Sequence, residues 1–134
     1  MIKALLDTNV LISSLFWKGP SRRIVDLAIA NKIKSVTSPE ILEEVEVVLY
    51  EGFPQVPYAR IEEIMRDILS YSQLVISSKI TVKKLRDLKD TKIIACALSA
   101  KAGYIVTGDK DLLVLKEYKG IRIANPKTFL DLFK

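Results

Sequence analysis

Histidine is absent from this chain, and cysteine occurs once, as Cys96. The first absence excludes most. Without an imidazole there is no Ser-His-Asp triad, no Cys-His nucleophile pair and no histidine-ligated zinc site. Hydrolytic chemistry must then run on carboxylates, lysines, hydroxyls or a metal held by oxygen. A single cysteine excludes an internal disulfide framework and points to a reducing, cytoplasmic setting. Glycine is scarce, at five residues, and forms no Gly-rich loop of the kind that cradles a nucleotide's phosphates. Long apolar runs are missing too. The apolar stretches fall far below the roughly 18–20 residues of a spanning helix, so no membrane association is expected. Met1-Ile2-Lys3-Ala4-Leu5-Leu6 meets an acid at once, Asp7, and reads as a buried strand rather than a signal peptide.

What is present suffices for one domain over residues 1–134: the chain is 49% hydrophobic and long enough to bury a core without staples. No repeat, low-complexity tract or linker divides it. The formal charge of +5 and a pI near 9.3 lean towards a polyanionic partner.

Apolar segments alternate in type along the chain. Ile2–Leu6 is a continuous run that predicts a strand buried on both faces. Helical spacing follows from about Asn9 to Phe16, and Gly19-Pro20-Ser21 opens a second helix through roughly Asn31. Ser35-Val36-Thr37 reads as a strand. Ser38-Pro39-Glu40 then offers an N-cap, a proline at N1 and an acid in the first turn of a helix that ends near Gly52. Further helices are expected over Tyr58–Tyr71, over Asp87–Lys101 with Gly103 closing it, over Asp111–Lys116, and from Pro126 onwards. Leu74-Val75-Ile76, Tyr104–Thr107 and Ile121-Arg122-Ile123 read as strands. The alternation predicts a three-layer α/β/α sandwich with a mostly parallel sheet of about five strands.

In open parallel sheets, ligands bind at the carboxyl ends of strands. Two predicted strands meet an aspartate there, Asp7 and Asp109. Two helices offer more acids. With Val45 at the centre of its apolar stripe and 100° per residue, Glu43 lies nearly opposite, in solvent, while Glu44 and Glu46 take the two flanks. Geometry does not choose between those two. In the helix that follows Asp87, Asp90 shares a face with Ile94 and Ala97, so this carboxylate begins the stripe that packs on the sheet. A buried charge there needs a partner. Carboxylates gathered at one spot repel one another unless a metal neutralises them. Oxygen ligands without histidine or thiolate select Mg²⁺ or Mn²⁺, and such a site suits phosphodiester hydrolysis.

Each acid also has a structural role open to it. Asp7 and Asp109 stand where helix caps stand, Asp87 and Asp90 have the spacing of a capping box, and Glu44 belongs to a charged helix face. Asp87 and Glu43 are read as structural, Cys96 as a small core residue and Trp17 as packing. Lys18, Arg22, Arg23, Lys92 and Lys110 are available for phosphate contacts. Capping and catalysis do not exclude each other, and the conjunction of four acids carries more than any one.

These residues resemble the motifs of the PIN-domain nucleases, in particular the VapC-like toxins of prokaryotic toxin–antitoxin pairs. Leu5-Leu6-Asp7-Thr8-Asn9 is similar to the family's first acidic motif. Ser38 to Val45 resembles its second, in which the glutamate just before an apolar residue acts, and this favours Glu44. Asp87-Leu88-Lys89-Asp90 with Ile93 to Leu98 is similar to its third, and Tyr104 to Leu113 to its fourth. The resemblance spans the chain and keeps the family's order. It implies a Mg²⁺- or Mn²⁺-dependent endoribonuclease, commonly a homodimer silenced by an antitoxin protein. It implies metal-binding, catalytic roles for Asp7, Glu44, Asp90 and Asp109, with Asn9, Thr107 and Asp111 orienting the acids or a water. The third motif departs from the pattern: Arg86-Asp87-Leu88-Lys89 stands where a more acidic segment is common.

Other acid-based enzymes fit less well. A haloacid-dehalogenase-like phosphatase needs a second aspartate two residues after the first, where this chain has Asn9. A response-regulator receiver needs an aspartate ending its third strand, and Leu74–Ser78 supplies none. The remaining rival is a catalytically silent PIN scaffold that binds RNA or a protein; the presence of all four acids favours the enzyme.

Overall fold

The computed structural model describes residues 1–77 and 88–133. In chain order the elements are β1 (Ile2–Leu6), α1 (Thr8–Phe16), α2 (Pro20–Ile29), β2 (Ile33–Thr37), α3 (Pro39–Gly52), α4 (Tyr58–Tyr71) and β3 (Ser72–Leu74). They continue with α5 (Leu88–Ala100), β4 (Tyr104–Val106), α6 (Lys110–Leu113), β5 (Glu117–Tyr118), β6 (Ile121–Ala124) and α7 (Pro126–Leu130), which runs into a 3₁₀ turn over Asp131–Phe133.

The strands form one sheet in the order β3-β2-β1-β4-β6-β5. Every pairing is parallel except that of β5 with β6. The chain walks outward from β1 to β2 to β3, then returns through α5 to place β4 on the other side of β1. Right-handed crossovers put α1–α4 over one face of the sheet and α5 over the other, which gives the three layers. Strands so covered should be apolar on both sides, and Ala4, Leu5, Leu6, Ile105 and Val106 are completely buried. Val10, Leu11, Ile24, Val45 and Leu49 close the core from one face, and Ile94 and Ala97 of α5 from the other. Each fully buried aliphatic side chain of this kind contributes about 1.5–3 kcal/mol.

Local signals work as their chemistry requires. Ser38 Oγ accepts from the Ile41 amide at 3.2 Å, ahead of Pro39 at N1 of α3. Asn125 Oδ1 accepts from the Thr128 amide at 2.8 Å, ahead of Pro126 in α7. Phe16, whose ring stacks on Phe53 at 4.3 Å, ties the end of α1 to the end of α3.

Four expectations need adjustment. The third strand is Ser72–Leu74 rather than Leu74–Ile76. Its register is held by polar contacts that an apolar count overlooks, with Ser35 Oγ and Ser72 Oγ 2.9 Å apart. The end of α5 is made by Lys101 at φ 55°, with the Ala102 amide returning to the Ala97 carbonyl at 2.9 Å. Gly103 instead donates its amide to Lys3 O at 2.9 Å and leads into the sheet. The short helix is α6, ending at Leu113, because the chain turns through Lys116 at φ 59°. It turns in order to make β5, the sixth strand. Lys119 and Gly120 both have positive φ, 47° and 85°, as a tight two-residue hairpin loop demands. The expectations for Asp87 and Arg86 fall outside the described residues.

Candidate active site

The strand order reverses between β1 and β4, and the carboxyl ends of those two strands flank the crevice where α/β proteins bind ligands. Asp7 directly follows β1 and caps α1, its Oδ1 accepting from the Thr8 amide at 2.7 Å. Its own amide donates to Val106 O at 3.0 Å, which pins it to the end of β4. Thr107, completely buried, donates its hydroxyl to Asp7 Oδ2 at 2.8 Å and accepts from the Asp109 amide at 3.0 Å. Asp109 in turn caps α6, its Oδ1 accepting from the Asp111 amide at 2.9 Å. A continuous hydrogen-bonded chain thus joins the two strand-end acids.

The other two acids come from the layers on either side. Asp90, in the first turn of α5, is 3% exposed and shares the buried stripe with Ile94 and Ala97. On α3, Glu43 and Glu46 are exposed while Glu44 is half-buried, so of the two flanking acids Glu44 is the one turned towards the cleft. Glu44 Oε1 lies 2.7 Å from Lys89 Nζ, so α3 and α5 are bridged by an ion pair. A cleft of about 40 Å³ opens beside this bridge, lined by Thr8, Ser38, Glu40, Glu44, Lys89 and Lys92.

Electrostatics follow from this packing. Burial raises the Asp7 pKa; hydrogen bonds from Thr107 and the Thr8 amide and the charge of Lys89 oppose the rise, and Glu44 adds to it. Lys89 loses hydration, which disfavours its charge, yet the hydrogen bond and charge of Glu44, with Asp7 and Asp109, hold its pKa above the ordinary value. The buried Cys96 thiol is pushed up to about 11, chiefly by burial and then by Glu40, with Ser38 and Ser77 opposing. It is a core residue of α5, as expected.

Thr107 touches both strand-end acids, the Asp7 carboxylate and the Asp109 backbone amide. The Asp111 amide donates to Asp109 Oδ1, and Asn9 is exposed, bonded to no acid among the described residues. Two cleft residues escaped the sequence. Lys89 is one; an ammonium in the first turn of a helix, against the dipole and beside an acid, was the signal available. The other is Thr8, whose Oγ1 is buried without a hydrogen-bond partner among the described residues.

The donors fit a hard divalent cation: carboxylates and hydroxyls only, two of the carboxylates buried where charge calls for compensation, and the unpartnered Thr8 Oγ1 lining the same cleft. Among the described residues no three acidic side chains form a closed cation cage, and Glu44 is engaged by Lys89.

A family model described as PIN domain matches residues 3–111, a span that includes all four acids, and the chain belongs to the PIN domain family. Its sequence is 33% identical over 144 residues to the uncharacterized protein MJ1680 of Methanocaldococcus jannaschii, covering 99% of this chain and 92% of that protein. Its fold matches a chain of the VapBC2 crystal structure from Rickettsia felis, bound to a DNA fragment from their promoter, with a TM-score of 0.65. That match has 13% identity and covers 92% of this chain and 98% of the other; it speaks for the fold alone.

Proposed function

We propose that this PIN-domain protein is an endoribonuclease dependent on Mg²⁺ or Mn²⁺, and that it is the toxin of a toxin–antitoxin pair. The observation that carries the reading is the hydrogen-bonded chain from the buried Asp7 through Thr107 to the partly buried Asp109 at the point where the strand order reverses.

Asp7, Asp90, Asp109 and Glu44 would hold one or two ions through their carboxylate oxygens. Bound there, Mg²⁺ or Mn²⁺ supplies positive charge for a phosphoryl oxygen and lowers the pKa of a water. Thr107 and the Thr8 amide fix one lone pair on each oxygen of Asp7, which leaves the remaining pairs for the cation. The Asp111 amide fixes Asp109 likewise. Asn9, exposed in the first turn of α1, is available to orient a water. Lys92, at the cleft, and Lys110, at the start of α6, offer charge to an RNA backbone.

Partners in this reading are RNA, an antitoxin protein and a second copy of the chain. The VapBC2 likeness supports the antitoxin, and Trp17, Ile29 and Tyr58, all largely exposed, supply apolar contact surface. No helix among the described residues is long and apolar enough to cross a membrane, and the cytoplasm is the proposed compartment.

The test is cleavage of total RNA in Mg²⁺, Mn²⁺ or chelator, with wild type, Asp7→Asn and Asp90→Asn side by side. Metal-dependent cutting that disappears in both folded variants is the expected result. Cutting that persists in both would sink the mechanism; no cutting by wild type, with no metal bound in calorimetry, would favour a silent scaffold.

A further inference from the structure

The first turn of a helix is a poor place for a cation, because its unpaired N–H groups already carry partial positive charge. Lys89 nevertheless stands in the first turn of α5, next to Asp90. Its Nζ lies 2.7 Å from Glu44 Oε1 of α3. Both side chains line the cleft that Thr8, the neighbour of Asp7, also lines. One lysine therefore contacts one of the four acids and adjoins a second.

A partly buried group of carboxylates repels itself. A divalent ion is one remedy, and a tethered ammonium is another. We propose that Lys89 is a built-in counter-ion of the acidic site, neutralising it in the metal-free protein and leaving Glu44 when a divalent cation binds. The inference rests on the reading of these acids as a metal site. The side chain has the freedom to leave, being 49% exposed, while its partner Glu44 is 30% exposed. The lysine thus trades metal affinity for an empty site that holds together. Metal entry costs the protein an ion pair before it gains a ligand.

The consequence is measurable without any nuclease assay. Mn²⁺ is titrated by calorimetry into the metal-stripped full chain as wild type, Lys89→Met, Lys92→Met and Asp7→Asn. Lys92 lines the same cleft, so its loss reports the general effect of removing a nearby charge. Lys89→Met should bind Mn²⁺ roughly two- to fivefold tighter than wild type, the range set by breaking one half-exposed ion pair. Lys92→Met should stay within about twofold of wild type on the same scale, and Asp7→Asn should lose binding. If wild type binds but Lys89→Met is no tighter, or Lys92→Met gains as much, the counter-ion is overturned and the metal site stands. If neither wild type nor Lys89→Met binds, both fall.

Should Lys89→Met not fold, wild type gives the answer through reductive methylation followed by peptide mass spectrometry. Lys89, referenced to the exposed Lys18, should be modified faster in Mn²⁺ than in chelator. An unchanged or slower rate overturns the proposal.

Discussion

Thr107→Val is the most informative single change, because it keeps the shape of a completely buried side chain and removes only its hydroxyl. That hydroxyl makes two contacts: it donates to Asp7 Oδ2 at 2.8 Å and accepts from the Asp109 amide at 3.0 Å. A hydrogen bond to a charged group contributes about 1.5–3 kcal/mol. Orphaning the Asp109 amide adds about 1 kcal/mol, the low end, since that contact is only partly buried and water can reach it. The total is about 2.5–4 kcal/mol at neutral pH. For a chain of this size that corresponds to a Tm lower by about 10 °C. Thr107→Ser, which keeps the hydroxyl and loses a methyl, is the control and should cost about 1 kcal/mol. Thermal unfolding in chelator across a pH series is the assay. Thr107 favours the ionised form of Asp7, so the cost of losing it is full where Asp7 is charged. It should shrink as pH falls through the raised pKa of Asp7. A valine variant as stable as the serine variant at pH 8 would refute the argument, and so would a cost that grows in acid.

The remaining predictions concern the neighbours of that chain. Burial holds the folded-state pKa of Asp7 above its unfolded value, so the stability from its bound proton is present in acid and lost as pH rises through the folded value. Metal-free Asp7→Asn should therefore melt higher than metal-free wild type at pH 7, and a lower Tm would contradict the burial penalty. Glu44→Gln should weaken Mn²⁺ binding and cleavage at least about tenfold, the usual scale for losing a metal's carboxylate environment, while Glu46→Gln, out in solvent, leaves both unchanged. Equal effects would mean that α3 does not present Glu44 to the site. Cys96, buried and with its pKa pushed up to about 11, should resist iodoacetamide in the native protein at pH 8 and react on unfolding; rapid native labelling would contradict its burial.

Much of this molecule follows from residue order alone. The absence of histidine confines the chemistry to oxygen donors and a cation, whatever the fold. Continuous apolar runs at Ile2–Leu6 and Tyr104–Val106 make strands that must be covered on both faces, and a serine or asparagine followed by proline starts α3 and α7. Because Asp7 follows its strand directly and Asp109 follows within three residues, their place at one edge of the sheet was legible before any coordinates. Elements held by polar contacts or by backbone conformation were not. β3 takes its register partly from the facing hydroxyls of Ser35 and Ser72, and β5 exists because Lys119 and Gly120 adopt positive φ.

The fine structure of the site needed the third dimension. Helical rotation put Glu44 and Glu46 on equivalent flanks, and only the placement of α3 against the rest of the fold turned one of them into the cleft. Thr107 and Asp7 are 100 residues apart, and their hydrogen bond depends on β1 and β4 being neighbours, a choice made by the whole sheet. Nothing in the residue order pairs Lys89 with Glu44; only the fold brings them within 2.7 Å of each other. A sequence specifies which groups are available and which face of an element they occupy. The distance between groups on different elements, on which charge neutralisation and hydrogen bonding depend, is decided when those elements pack.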